Sequence, residues 1–192
     1  MGSDINDADA LRRSLAEPTV FGVVYERHMP RVLRYLRRRV GDGIAEDLTA
    51  EVFVRAFRGR AKYGVQHETA LPWLLGIASN LIGDHRRAER RRLATLARLV
   101  GEAPEGTELA VSEGLSPRLV GELRRLPAPD RDALLLVAWG ELSYEETARA
   151  LGVPVGTVRS RIARARQRLS GDPGIRNADR QADVLTNGEN HA

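Results

Sequence analysis

The chain has 192 residues, 42% hydrophobic and 29% charged, a composition that suits one average globular domain or two small ones. With no cysteine, disulfides, thiolate zinc sites and a cysteine nucleophile are excluded. No apolar run nears the ~20 residues of a membrane span, and the acidic stretch Met1–Ala10 lacks the apolar core of a signal peptide, so a cytoplasmic protein without membrane insertion is expected.

Of the 30 basic residues only Lys62 is lysine. Arginine forks onto phosphates and guanine edges, which suits nucleic acid. A GC-rich genome would enrich arginine too, so distribution must decide. Three stretches are strongly basic: Arg31–Arg39, Arg86–Arg92 and Arg159–Arg168. Between the second and third, Gly101–Pro117 carries Glu102, Glu105, Glu108 and Glu113 and no base. Basic blocks separated by an acidic, Gly- and Pro-bearing stretch read as two modules and a linker.

In chain order, Pro18 opens a helix whose Phe21, Val24, His28, Val32, Tyr35, Leu36 and Val40 form one apolar stripe. Pro30 is expected to kink or break it. Gly41-Asp42-Gly43 reads as a turn, and Ile44, Leu48, Val52 and Ala56 mark a second helix, roughly Ala45–Arg58. Gly59–Thr69 loses the period and reads as a loop. A third helix starts at Thr69 or Ala70, with Trp73, Leu74, Ile77, Ala78, Leu81 and Ile82 as its buried face, and continues through the arginines to Arg92. Ser116-Pro117 caps a fourth helix, and Pro127–Asp130 separates it from a fifth over Arg131–Trp139. No strand-like alternation and no internal repeat is present, so the fold class is all-α.

Ser143–Leu169 has helix-turn-helix spacing. Ser143 and Glu146 form a capping box, and Gly152 sits where the chain must reverse with positive φ. Ala148 suits a helix crossing, and Leu151, Val153, Val158 and Ile162 form the expected core. Thr157, Arg159, Ser160, Ala163, Arg164 and Gln167 fall on the exposed side of a helix from Gly156 to Leu169. Such a helix fits the major groove, with its first turn offered to a phosphate. A plain hairpin with a solvated basic face would share the periodicity. The coincidence of cap, turn, core spacing and acid-free basic face favours DNA.

The run Leu142–Arg161, L-S-Y-E-E-T-A-R-A-L-G-V-P-V-G-T-V-R-S-R, resembles the −35-reading helix-turn-helix of the bacterial sigma-70 family, above all its extracytoplasmic-function (ECF) group. Ala45–Phe53, A-E-D-L-T-A-E-V-F, resembles the family's helix that docks on the polymerase β′ clamp. Trp73–Asn80, W-L-L-G-I-A-S-N, resembles its −10-reading helix. The resemblance covers roughly Phe21–Leu169. It implies a region 2-like module over 18–95, a flexible acidic linker over 96–115, a region 4-like helix-turn-helix over 116–170 and a flexible tail over 171–192.

The implied function is promoter-specific transcription initiation with core RNA polymerase, through the β′ clamp and β flap, without catalysis, metal or cofactor. Asp47 and Glu51, with Phe53, are the implied polymerase contacts. One departure is Ala50, where the family often has Gln. Tyr63, Gln66, His67 and Asn80 are the implied −10 readers, on a loop about one residue longer than the family pattern, and Arg86, Arg87 and Arg90 would lie on phosphates. Trp73 is expected in the core, and the block Arg31–Arg39 is expected to be solvated. Arg159, Ser160, Ala163 and Arg164 are expected to face −35 bases, with Thr157 and Arg161 nearer the backbone. Promoter DNA and an anti-sigma factor complete the implied partners. The competing reading is a stand-alone helix-turn-helix regulator binding duplex DNA without polymerase. A DNA-processing enzyme is disfavoured, because Asp42, Glu46, Asp47 and Glu51 are the only dense acids of the first module and lack a nearby histidine.

Overall fold

The computed structural model describes residues 5–63, 69–100 and 115–169, and among these every regular element is helical. The chain divides into two compact units, Met1–Ser112 and Glu113–Ala192.

The first unit begins with a helix that the periodicity did not reveal, α1 over Asp7–Arg13. Asn6 caps it by accepting the N–H of Asp9 at 2.8 Å. Asp7 and Asp9 at its start and Arg12 and Arg13 at its end complement the helix dipole. Because α1 packs on the following helix, the module extends upstream of position 18. Pro18–Val20 form a 3₁₀ turn, and α2 then runs from Phe21 to Val40 without a break at Pro30. The proline ring lies on the exposed face, while Val24, His28, Val32, Tyr35 and Leu36 on either side of it are buried. Packing on both sides holds the helix together against the lost hydrogen bond.

Only Gly41, at φ 81°, makes the turn into α3, which spans Asp42–Gly59 and so includes Asp42 and Gly43. A 3₁₀ turn at Arg60–Lys62 enters the expected loop. α4 covers Leu71–Val100, so residues 96–100 of the expected linker are helical. α2, α3 and α4 pack pairwise. Val24, Val32 and Leu36 of α2, Ala45, Val52 and Ala56 of α3, and Leu74, Leu75, Ala78, Leu81 and Ile82 of α4 are all buried and form the core. Each fully buried Val, Leu or Ile side chain among them contributes about 1.5–3 kcal/mol.

One expected surface cation is internal. Arg39 is 0% exposed, its Nη1 donates to Tyr35 Oη at 2.5 Å, and Tyr35 Oη meets Ser79 Oγ at 3.1 Å. Burial of an arginine head requires such partners, so the Arg31–Arg39 block is not solvated throughout.

In the second unit, Ser116 Oγ accepts the N–H of Leu119 at 3.2 Å and Pro117 opens α5, Pro117–Arg125. α6 spans Ala128–Ala138, starting earlier than the expected Arg131. α7 covers Tyr144–Leu151 under a complete capping box: Glu146 N–H donates to Ser143 Oγ at 3.1 Å and Ser143 N–H to Glu146 Oε2 at 2.8 Å. Gly152 is left-handed at φ 63°, and α8 follows over Val155–Leu169. α8 packs on α5, α6 and α7. Val158, Ile162, Ala165 and Leu169 are buried, as are Ala133, Leu134, Leu135 and Leu136 of α6 and Thr147 and Ala148 of α7. Leu151 and Val153, expected in this core, are only half-buried at the turn, and the buried leucines of α6 fill the core against α7 and α8.

Candidate nucleic-acid and partner interfaces

The exposed stripe of α8 carries Arg159, Ser160, Ala163, Arg164 and Gln167, while Thr157 and Arg161 are half-buried at its flanks. This stripe follows from burying Val158, Ile162, Ala165 and Leu169 on the opposite side. Ser160 Oγ donates back to Thr157 O at 3.0 Å, leaving its lone pairs as the outward-facing function. Arg159 is exposed with no ion-pair partner among the described residues. Arg164 differs: its Nη2 and Nε donate to Asp130 Oδ1 and Oδ2 at 2.8 and 3.2 Å. The basic face, acid-free in local sequence, therefore acquires an acid from α6.

In the first unit, Asp47 is exposed on α3 and Glu51 is half-buried, paired with Arg55 Nε at 2.8 Å. The Glu51 hydrogen bond is the main reason the Arg55 pKa is raised, and Asp84 adds to it from 3.5 Å. Phe53 is not presented to solvent. It is 5% exposed, with its ring edge-on to Tyr25 at 4.8 Å and to Phe21 at 6.5 Å. It forms part of an apolar groove lined also by Tyr25, Ala50, Val54, Phe57 and Arg58. Tyr25 and Val54, which sequence reasoning passed over, are the large exposed apolar residues there, at 43% and 41%. At 100° per residue, Asp47, Ala50, Glu51, Val54 and Arg58 share one face of α3, so the acids border the groove.

Tyr63 packs against Trp73, with ring centroids 4.9 Å apart and planes tilted by 43°, and donates its hydroxyl to Thr69 O at 2.9 Å, tying together positions 63 and 69. Trp73 is accordingly half-buried, not core. Gln66 and His67 lie outside the described residues, as do the acidic stretch 101–114 and the tail after Leu169. Asn80 is exposed on α4. Further along, Arg86 donates to Arg39 O at 3.3 Å, Arg87 pairs with Asp84 at 2.5 Å, and Arg90 Nε donates to Arg86 O at 3.4 Å. Arg87 and Arg90 are exposed and Arg86 is half-buried.

A residue missed from sequence anchors the end of that loop. Asp7 is 1% exposed, and its Oδ2 accepts the N–H of Ala70 at 2.7 Å and His28 Nε2–H at 2.5 Å, while Oδ1 accepts from Arg27. Burial pushes the Asp7 pKa up, but the hydrogen bonds from His28, Ala70 and Arg27 outweigh it and hold the pKa at about 2. No sequence signal joins positions 7, 28 and 70.

Two family descriptions match: sigma-70 region 2 over residues 24–92 and sigma-70 region 4 over residues 117–169. The ECF RNA polymerase sigma factor SigC of Mycobacterium tuberculosis is 37% identical over 134 residues, covering 68% of this chain and 70% of SigC. The chain belongs to the ECF group of the sigma-70 family. The ECF RNA polymerase sigma factor BldN of Streptomyces coelicolor is 34% identical over 164 residues, 83% of this chain, which spans only 62% of BldN. Among solved structures, the sigma factor RpoE of Bartonella quintana, in complex with the anti-sigma factor NepR, aligns with a TM-score of 0.60. That alignment covers 80% of this chain and 96% of RpoE at 23% identity, a likeness of fold.

The region 2 match takes in α2 from Val24 onward, α3 and most of α4, and the region 4 match takes in α5 to α8. α1 and Asp7 precede the region 2 match. Among the described residues no helix is long and apolar enough to cross a membrane, and no cluster of His, Asp or Glu could hold a metal ion.

Proposed function

We propose that this protein is a promoter-specificity subunit of bacterial RNA polymerase, acting in the cytoplasm without catalysis of its own. The observation that carries the reading is the ordered pair of matches, region 2 then region 4, on two separate helical units. The first unit docks on core polymerase through Asp47, Glu51 and the groove edge beside them. The segment Tyr63–Thr69 with Asn80 reads the −10 element, and Arg87 and Arg90 hold phosphates. The second unit lays α8 in the major groove of the −35 element, with Arg159, Ser160, Ala163 and Arg164 toward bases and Thr157 and Arg161 toward the backbone. Each contact raises the effective concentration of the others. An anti-sigma factor covering these faces belongs to the same reading.

A stand-alone helix-turn-helix regulator would use α8 equally well, but it has no need of a second unit matching region 2. Run-off transcription with sigma-free core polymerase on a promoter library decides between them. Reproducible starts that require this protein, and that vanish when Asp47 and Glu51 are both changed to arginine, are expected. Tight duplex binding without polymerase-dependent starts would sink the reading.

A further inference from the structure

We propose that Asp130 is a positioning residue for −35 recognition: it clamps the inner edge of Arg164 so that the remaining edge of the guanidinium is presented to a guanine. The inference rests on the reading of α8 as the −35 helix. Its basis is an ion pair that local sequence does not announce. Asp130 lies 34 residues before Arg164 and is 3% exposed, whereas the Arg164 side chain is 51% exposed. A core brace would bury both partners. Here the acid is buried and the base stands in solvent.

The geometry is side-on and bidentate. Asp130 takes Nε at 3.2 Å and one Nη2 hydrogen at 2.8 Å. That leaves three hydrogens, and one on Nη1 together with the second on Nη2 forms the end-on edge of the fork. Two parallel N–H groups on one edge match the O6 and N7 acceptors of guanine in the major groove. Three physical effects follow. The fork is held in one rotamer before DNA arrives, which removes an ordering cost from binding. The nearby carboxylate repels phosphate oxygens, so Arg164 is steered from the backbone toward a base. The carboxylate itself is fixed, because Asp130 sits in the first turn of α6, where the helix dipole favours an anion, and α6 packs on α8.

Arg159 has no such acid among the described residues and remains available to phosphate or base alike. The two arginines of one helix face are thereby given different tasks.

The test uses holoenzyme assembled from core polymerase and the full chain, on a promoter library randomised across the upstream element. Base preference is read from the transcripts. Wild-type protein should select guanine at one position, and Arg164→Ala should lose that preference by roughly ten- to a hundredfold. Asp130→Asn should lose preference at the same position and no other, and the double variant should be no worse than Arg164→Ala. Arg164→Lys, which keeps the charge but not the fork, should behave as Arg164→Ala. The slope of log activity against log salt should steepen by about one for Asp130→Asn as the freed arginine turns to phosphate. If Asp130→Asn instead lowers output equally for all sequences, with a lower melting temperature and unchanged base preference, the pair is only a structural brace and the proposal fails. If wild-type holoenzyme initiates but shows no preference anywhere in the upstream element, the reading of α8 falls and takes this inference with it. Absence of any wild-type initiation would mark failure of the sigma-factor reading itself.

Discussion

Asp7 Oδ2 accepts the backbone N–H of Ala70 at 2.7 Å, across 63 residues of chain. Ala70 directly precedes α4, so a carboxylate from α1 satisfies a donor that the helix start cannot pair for itself. The same oxygen holds His28 of α2. One buried acid thus fastens three elements of the first unit and fixes the end of the segment assigned to −10 reading.

Replacing that acid tests its weight. Asp7→Asn is expected to destabilise the first unit by about 3 kcal/mol, because breaking a buried ionic network leaves the remaining partners uncompensated. The chain has two tryptophans, one in each unit, so urea unfolding followed by Trp73 fluorescence in a Trp139→Phe background isolates this effect. A loss under about 0.5 kcal/mol would show that α1 is ornamental to the unit.

The pH dependence has a definite sign. The Asp7 pKa falls from 3.8 to about 2 on folding, so its contribution is complete above about pH 4 and is lost as pH falls through that window to about 2. The shift corresponds to about 2 kcal/mol. Stability of the first unit measured from pH 5 to 2 should fall more steeply for wild type than for Asp7→Asn. Parallel curves would mean that other carboxylates govern the acid limb.

Gly152 offers a purely conformational test. It holds φ at 63°, yet a Cβ added there meets nothing within 4 Å. Gly152→Ala should therefore cost about 1 kcal/mol in the second unit through backbone strain alone, and Gly152→Asn should cost less, since asparagine tolerates the left-handed region. Thermal unfolding followed at Trp139 in a Trp73→Phe background reads both. Equal penalties for the two would implicate something other than φ.

On α3, neighbouring residues should separate stability from docking. Phe53→Ala removes a buried ring and is expected to cost about 3–5 kcal/mol. Asp47→Arg sits in solvent and should change stability by less than about 0.5 kcal/mol, yet weaken binding of fluorescently labelled protein to core polymerase by about tenfold or more. Unchanged polymerase affinity for Asp47→Arg would move the docking face away from these acids.

Much of this molecule is written in short-range pattern. The Ser143–Glu146 box, the Ser116 cap, the reversal at Gly152 and the buried stripe of α2 all depend on residues a few positions apart, and each is present. So is the outward face of α8, because burying Val158 and Ile162 forces Arg159 and Ala163 outward. Where local rules misled, packing outweighed them. Pro30 did not stop α2, since its ring faces solvent while the stripe on both sides is held by the core. Trp73, expected in the core, is only half-buried, because its ring lies beside Tyr63 at the start of α4 where the packing of α2 and α3 leaves it partly open.

Fold class, the Ser116 and Ser143 caps and the outward face of α8 were legible because periodicity and capping report hydrogen bonds and side-chain neighbours within about one helical turn. The partners of charged residues were not. Arg39 reaches Ser79 through Tyr35, Arg164 finds Asp130, and Asp7 finds His28 and Ala70. Such pairs lie 21 to 63 residues apart, and they form only once apolar burial has brought their helices together. A charge in a sequence says only that it must be solvated or paired. Which of the two it becomes is settled when the helices pack and water is removed.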